Sequence, residues 1–302
     1  MNLRTLFQVG AFAATLTLSA PHIAASQDIP RPRVEVTWLG GATMVIKFNG
    51  LSILADPTFG EGEKAFTMGD PNEMFDLKAG PTIKPHRRLT PFPGVNLQTI
   101  DLVLLSHAHE DHFDQKARTA IGRAMPIVLP LADVDQLKAQ GFQRLDGVGW
   151  GETRQFKAGS GQVKITAIPA HHSETPQLEK FLGVGNGYWI EFSERDWRRT
   201  IYWTGDAFPT ADTIQAVRAL GEPDVMVAHL GAVGTTGPLG QVSMGADHVV
   251  ALAAEIRPKN VLPIHHTSYA LYLEPIGELV VKSKGKPYRL DLLSEGTTSR
   301  YD

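Results

Sequence analysis

The chain has 302 residues, a formal net charge of −3, 42% hydrophobic and 20% charged residues, and no cysteine. That is globular material for one large domain or two small ones, without the dense Lys/Arg block a nucleic-acid partner calls for. The missing thiol excludes disulfides, thiolate metal ligands, a cysteine nucleophile and a lipidated N-terminal cysteine.

The first residues read as a targeting segment: Arg4 is a positive start, Leu6 to Leu18 a short apolar run, and Ala24, Ala25 and Ser26 a small-residue cleavage site. A bilayer span takes about 20 apolar residues. A signal peptide over 1–26 and a mature chain over 27–302 are therefore expected, an uncleaved anchor helix being the alternative. This implies export to the periplasm or outside, with no transmembrane segment once the signal is removed.

Val34 to Trp38, Thr43 to Phe48 and Leu51 to Ala55 alternate or run apolar, and Asn49-Gly50 between the last two is a hairpin signal. The domain thus opens with a β-meander, which stops at Asp56-Pro57. Thr58 to Gln98 is rich in Gly and Pro with little periodicity, as in a functional loop. Its Arg87 and Arg88 are candidates for gripping a substrate phosphate or carboxylate, or else a solvated basic turn.

Leu102 to Asp114, LVLLSHAHEDHFD, is an apolar run that stops in His107, His109, Asp111 and His112. A strand places alternate residues on one face, so His107 and His109 can converge on one ion while Asp111 and His112, past the turn, face a second. Packing these groups together without a cation would leave several polar atoms stranded. Asp114 to Arg123 is predicted helical, Ile127 to Leu129 a strand, and Leu131 to Gln140 a helix ended by Gly141.

Four later runs repeat the pattern. Val163 to Ala170 leads into His171-His172, Thr200 to Thr204 into Gly205-Asp206, Asp224 to Ala228 into His229, and Asn260 to Ile264 into His265-His266. An amphipathic helix, Gly245 to Ile256, lies between the last two. Stacked in sheets, these runs would bring their stops to one rim, as in α/β folds that bind ligands at the carboxyl ends of strands. Two β-sheets faced by helices are the predicted architecture, with nothing marking a second domain. Of His171 and His172 only one is expected at the site, since neighbours on a strand face opposite ways.

The string His107-Ala-His109-Glu-Asp111-His112 resembles the H-x-H-x-D-H signature of the metallo-β-lactamase superfamily. VTWLGGATMVIKFNGLSILADP, RRLTPFP, GWGETRQF, IPAHHS, YWTGD and LPIHHTSY extend the likeness over nearly the whole mature chain. They resemble the branch containing N-acyl-phosphatidylethanolamine phospholipase D and the ascorbate-phosphate lactonases. The resemblance implies an α/β fold, a four-layer αββα sandwich, with a two-metal site at the edge where its halves meet.

The resemblance also implies a ligand set. His107, His109 and His172, the last picked by a Pro-Ala-x-His pattern, would hold one divalent ion. Asp111, His112 and His265, the last picked by Pro-x-His, would hold the other, with Asp206 shared. Asp56 would stand close behind and orient a ligand, or else simply form a turn. His229 and His266 are candidate substrate contacts, His229 being equally readable as a hydrogen-bonded structural histidine. Nitrogen and oxygen donors without sulfur suit zinc, manganese or iron, and zinc is expected.

The implied chemistry is hydrolysis by metal-activated water, with Asp111 and Asp206 as catalytic residues. The substrate would be a small molecule or lipid: a phosphodiester or phospholipid, or a lactone. The alternatives are an iron-dependent oxidoreductase of the same fold and a non-catalytic metal-binding protein. The chain departs from the branch at Gly41, where relatives often have His, and at Ser173, where they often have Trp.

Overall fold

The computed structural model describes residues 32–175 and 178–302, and the predicted signal peptide lies outside them. β1 (Val34–Gly40), β2 (Thr43–Phe48) and β3 (Leu51–Ala55) form the expected antiparallel meander. In β2, Met44, Ile46 and Phe48 enter one buried cluster and Val45 another, because successive side chains leave a strand on opposite faces. Between Thr58 and Gln98, where irregular loop is expected, β4 (Phe66–Gly69) and β5 (Ile83–His86) pair as a separate antiparallel ribbon. Alternation does not announce this ribbon. Its anchor is buried Phe66, stacked on His86.

β6 (Leu102–Leu104) is followed by α1 (Gln115–Ala120), β7 (Pro126–Pro130), α2 (Val134–Ala139) and β8 (Arg144–Val148). Both helices are shorter than predicted. Asp114 stands outside α1 as its cap, accepting the Ala117 N–H and, with its other oxygen, the Phe59 and Gly60 N–H groups. Leu131–Asp133 is a separate 3-10 turn before α2.

The chain continues through β9 (Thr153–Ala158), β10 (Gly161–Ala170), α3 (Glu179–Leu182), β11 (Gly185–Glu194), β12 (Trp197–Trp203) and α4 (Ala211–Leu220). It ends with β13 (Val225–His229), α5 (Ala246–Ile256), β14 (Asn260–Ile264), α6 (Gly277–Lys282), β15 (Arg289–Leu290) and β16 (Thr298–Tyr301).

Two seven-stranded mixed sheets result, ordered β16-β1-β2-β3-β6-β7-β8 and β15-β14-β13-β12-β11-β10-β9. Three buried clusters separate four layers. One lies between the sheets and joins Met44 and Leu104 to Ile190 and Val227. A second packs Val103 and Leu129 against Ala117 and Leu137 of α1 and α2. The third packs Tyr202 and Met226 beneath Val217, Val249 and Leu279 of α4, α5 and α6. This is the αββα sandwich.

The layering fixes where the polar stops go. β12, β13 and β14 are parallel neighbours, and β10 runs the same way two strands from β12, so all four release the chain at one edge. The end of β6 is tied to that edge from the other sheet: Asn186 N–H donates to Ser106 O at 2.8 Å and the Tyr188 hydroxyl to Leu105 O at 2.8 Å.

Candidate metal centre

At this edge the stops converge into two donor groups. His107, His109 and His172 each offer a donor atom within 4.8 Å of the others, and so do His112, Asp206, His229 and His265. Asp111 adjoins the second group, with Oδ2 3.6 Å from His265 Nε2 and 3.9 Å from His112 Nε2. Asp206 directs Oδ2 at His112, 3.3 Å away, and Oδ1 at His229, 3.0 Å away.

Hydrogen bonds separate possible ligands from braces. Trp203 Nε1 can only donate, and it gives its proton to His229 Nε2 at 2.7 Å; His229 Nδ1–H then donates to Asp206 Oδ1. Both ring nitrogens of the fully buried His229 are spent, so it orients Asp206 and touches neither an ion nor the cavity. His112 donates Nδ1–H to Asp56 Oδ2 at 2.7 Å and His265 donates Nδ1–H to Leu230 O at 2.8 Å, leaving each Nε2 turned toward the group. His172 Nε2 lies 3.1 Å from His107 Nε2, whereas His171 turns away to Asp212 Oδ2 at 2.7 Å.

The arrangement fits cations. Among the described residues His112 Nε2 and His265 Nε2, both turned toward the group, are buried without a hydrogen-bond partner. Each such atom costs about 1–3 kcal/mol unless something compensates it. The Nε2 atoms of His107 and His172 face each other at 3.1 Å, close enough for one cation to take a lone pair from each ring. All the donors are nitrogen or oxygen.

Neighbouring charge tunes the same residue type in opposite directions. Burial, then His112 and the other histidines, hold His107 well below its ordinary pKa, and burial takes His172 and His229 down to about 3. Around His112 the effect of burial is outweighed by Asp206, Asp111 and Asp56, which hold it well above. Burial opposes ionisation of Asp206 and Asp111 too, yet His265 and His112 keep both below the usual carboxylate range.

His109, Asp111, His172 and Asp206 line one end of a cavity of about 340 Å³. Its remaining walls are largely apolar, among them Met68, Phe75, Leu77, Phe181, Leu182 and Val242. One wall therefore comes from the β4–β5 region, within the stretch that the sequence presents as a functional loop.

Three candidate substrate contacts sit elsewhere. Arg88 is buried in an ion pair with Glu295 at 2.9 Å, donates to Leu39 O at 2.8 Å and lies over the Tyr269 ring, so its donors are consumed by the fold. Arg87 is exposed beside Glu63, 3.1 Å away. His266 packs on Trp38 with ring centroids 4.6 Å apart and bonds Thr267 Oγ1, and burial takes its pKa to about 4. None of the three lines the cavity.

Gly41 has a structural reason. A Cβ there would stand 2.7 Å from Tyr269 Cε2, the backbone is left-handed at φ +54°, and Gly41 O accepts the His265 N–H at 2.8 Å. The backbone of Gly41 thus helps to seat His265. Sequence reasoning passes over Trp203 and Ser106. The apolar run entering the signature through a serine is the available signal for the latter.

A family model described as Beta-lactamase superfamily domain matches residues 52–266. N-acyl-phosphatidylethanolamine-hydrolyzing phospholipase D 1 of Caenorhabditis elegans is 24% identical over 277 residues, covering 87% of this chain and 73% of the worm protein. A metal-dependent hydrolase of Polynucleobacter asymbioticus is 27% identical over 308 residues, covering 97% of this chain and 96% of its own length. Among solved structures, an isothiocyanate hydrolase from Delia radicum gut bacteria has the same fold, with a TM-score of 0.68 at 23% identity over 88% of this chain and 98% of that one. The chain belongs to the β-lactamase superfamily and is a metal-dependent hydrolase of the metallo-β-lactamase fold with a His/Asp metal site.

Proposed function

We propose that this hydrolase cleaves a lactone or other carboxylic ester whose acyl portion is a long apolar chain. The observation that carries the reading is the cavity: apolar walls end directly on His109, Asp111, His172 and Asp206, and no Lys or Arg is among its described lining residues. An acyl chain would leave water along those walls and present its ester carbonyl to the polar end.

His107, His109 and His172 would hold one divalent ion, Asp111, His112 and His265 the other, and Asp206 both. Zinc is the proposed metal, the same donors suiting manganese or iron. When bound, such ions supply Lewis acidity and a water acidified to a pKa of about 7. Asp111 orients the attacking water through a carboxylate oxygen, and Asp206, fixed by His229, keeps the two donor groups in register. The apolar walls exclude bulk water and select the chain.

A second reading, a phosphodiester of the phospholipid kind, is favoured by the likeness to the worm phospholipase. Export to the periplasm or outside is proposed from Arg4, the apolar run and the small residues after it. Finding the chain in the cytoplasmic fraction with its first residues intact would reject it.

The test is kcat/KM of the zinc-loaded protein on lactones and nitrophenyl esters of increasing acyl length, with bis(nitrophenyl) phosphate alongside. Each methylene buried is worth about 0.8 kcal/mol, so kcat/KM should climb roughly fourfold per added carbon until the cavity is full. A flat series overturns the acyl-chain reading, and preference for the phosphate diester selects the second.

A further inference from the structure

The two donor groups are joined through one hydroxyl. Ser106 is fully buried where β6 ends, and its N–H and hydroxyl both bond Asp56, at 2.7 and 2.5 Å. The same oxygen lies 2.9 Å from His107 Nδ1 and 3.2 Å from His112 Nδ1. A serine hydroxyl has one proton to give and lone pairs with which to accept. Its proton goes to Asp56 Oδ2, which leaves the oxygen to accept His107 Nδ1–H.

The donors therefore run from His107 Nδ1–H to Ser106, from the Ser106 hydroxyl to Asp56 Oδ2, and from His112 Nδ1–H to the same carboxylate oxygen. We propose that Ser106 is a positioning residue that extends the control of Asp56 to both ion sites. Asp56 sets the tautomer and ring angle of His112 directly, and of His107 through this hydroxyl. Each imidazole then keeps its proton on Nδ1 and presents Nε2 to its group. The inference rests on the two-ion reading of the site, and assigns each half of the centre a different dependence on the same carboxylate.

That asymmetry is measurable on the full chain stripped of metal and titrated with Co²⁺, read by its visible absorption, then with Zn²⁺ against a chelator. The wild type takes up two ions. Ser106→Ala should retain one at wild-type affinity and weaken the other about ten- to a hundredfold, the usual effect of losing a partner behind a ligating histidine. Asp56→Asn should weaken both. Ser106→Ala holding two ions as the wild type does, or losing both as Asp56→Asn does, overturns the assignment.

Ring ¹⁵N resonances of the zinc-loaded wild type give a second reading that needs no variant. His107 and His112 should both be protonated at Nδ1, and a proton on His107 Nε2 overturns the relay. A wild type that binds a single ion instead removes the two-ion reading, and this inference with it.

Discussion

The two donor groups differ in charge and in what holds them. His107, His109 and His172 form a set of neutral imidazoles, with two of the three lining the cavity. The other group surrounds His112 with Asp206, Asp111 and Asp56, which hold its pKa well above the ordinary value. A cation entering the first would meet three neutral imidazoles and the shared Asp206, while one entering the second would gain Asp111 as well. Two groups a few ångströms apart thus differ in charge and bracing, yet both reach the cavity, the neutral one through His109 and His172 and the anionic one through Asp111 and Asp206.

Asp206 is where the two sides meet, and removing its charge is the strongest way to break the contrast. Asp206→Asn should lower kcat/KM at least a thousandfold, about 4 kcal/mol of transition-state stabilisation, and reduce metal content as read by elemental analysis. Loss of a single ion with the other kept at full affinity would assign Asp206 to the His112 side alone. Full activity with full metal content would remove it from the centre altogether.

The anionic side depends on a buried ion pair remote from the cavity. Arg88 bonds Glu295, Glu295 accepts from Ser268, Ser268 accepts from Gly41 N–H, and Gly41 O accepts from His265 N–H. Removing one member of a buried pair leaves the other uncompensated, so Arg88→Met should cost about 3–5 kcal/mol of folding stability in denaturant titrations. Because Arg88 is spent in the fold, KM of the surviving protein should change little. A large rise in KM with stability intact would return Arg88 to the substrate.

His229 gives a smaller effect on the same side. His229→Ala strips Asp206 Oδ1 of its donor and Trp203 Nε1 of its acceptor. Activity should fall about ten- to a hundredfold with both ions still bound. Loss of an ion in this variant would show that Asp206 cannot hold its position unaided.

What could be read in advance follows the range of the interactions involved. A strand covered on both faces needs an apolar run, so β6, β10, β12, β13 and β14 and their polar stops stand out in the sequence. β11 does not, because its Gly185-Asn186-Gly187 start looks like a turn although all three residues are buried in the sheet. The β4–β5 ribbon escapes for want of alternation. The second histidine pair cannot be sorted locally either: His265 has φ +60°, off the strand, and its choice over His266 depends on contacts with Gly41 and Leu230. Arg88 reads as a surface cation until Glu295, 207 positions away, is brought to it.

On the neutral side the brace is milder and acts through the backbone. Asp133, in the turn before α2, accepts from the Ala108 N–H between His107 and His109, and burial pushes its carboxyl from 3.8 to about 6. Between those values the folded chain binds the proton more tightly than the unfolded one. Stability contributed by this residue is therefore present below pH 4 and lost as pH rises through 6. Asp133→Asn cannot lose a proton and still offers Ala108 an oxygen. The stability of the variant relative to wild type should rise between pH 4 and 7 and then level off, by about 1 kcal/mol once the carboxyl's partial exposure is discounted. Denaturant titrations of both proteins in parallel, under identical zinc, cancel the metal's own pH dependence. A constant difference would mean that folding leaves the pKa of Asp133 unshifted. A variant that also binds the first ion more weakly would make the negative charge of Asp133, and not only its oxygen, part of what holds the neutral group in place.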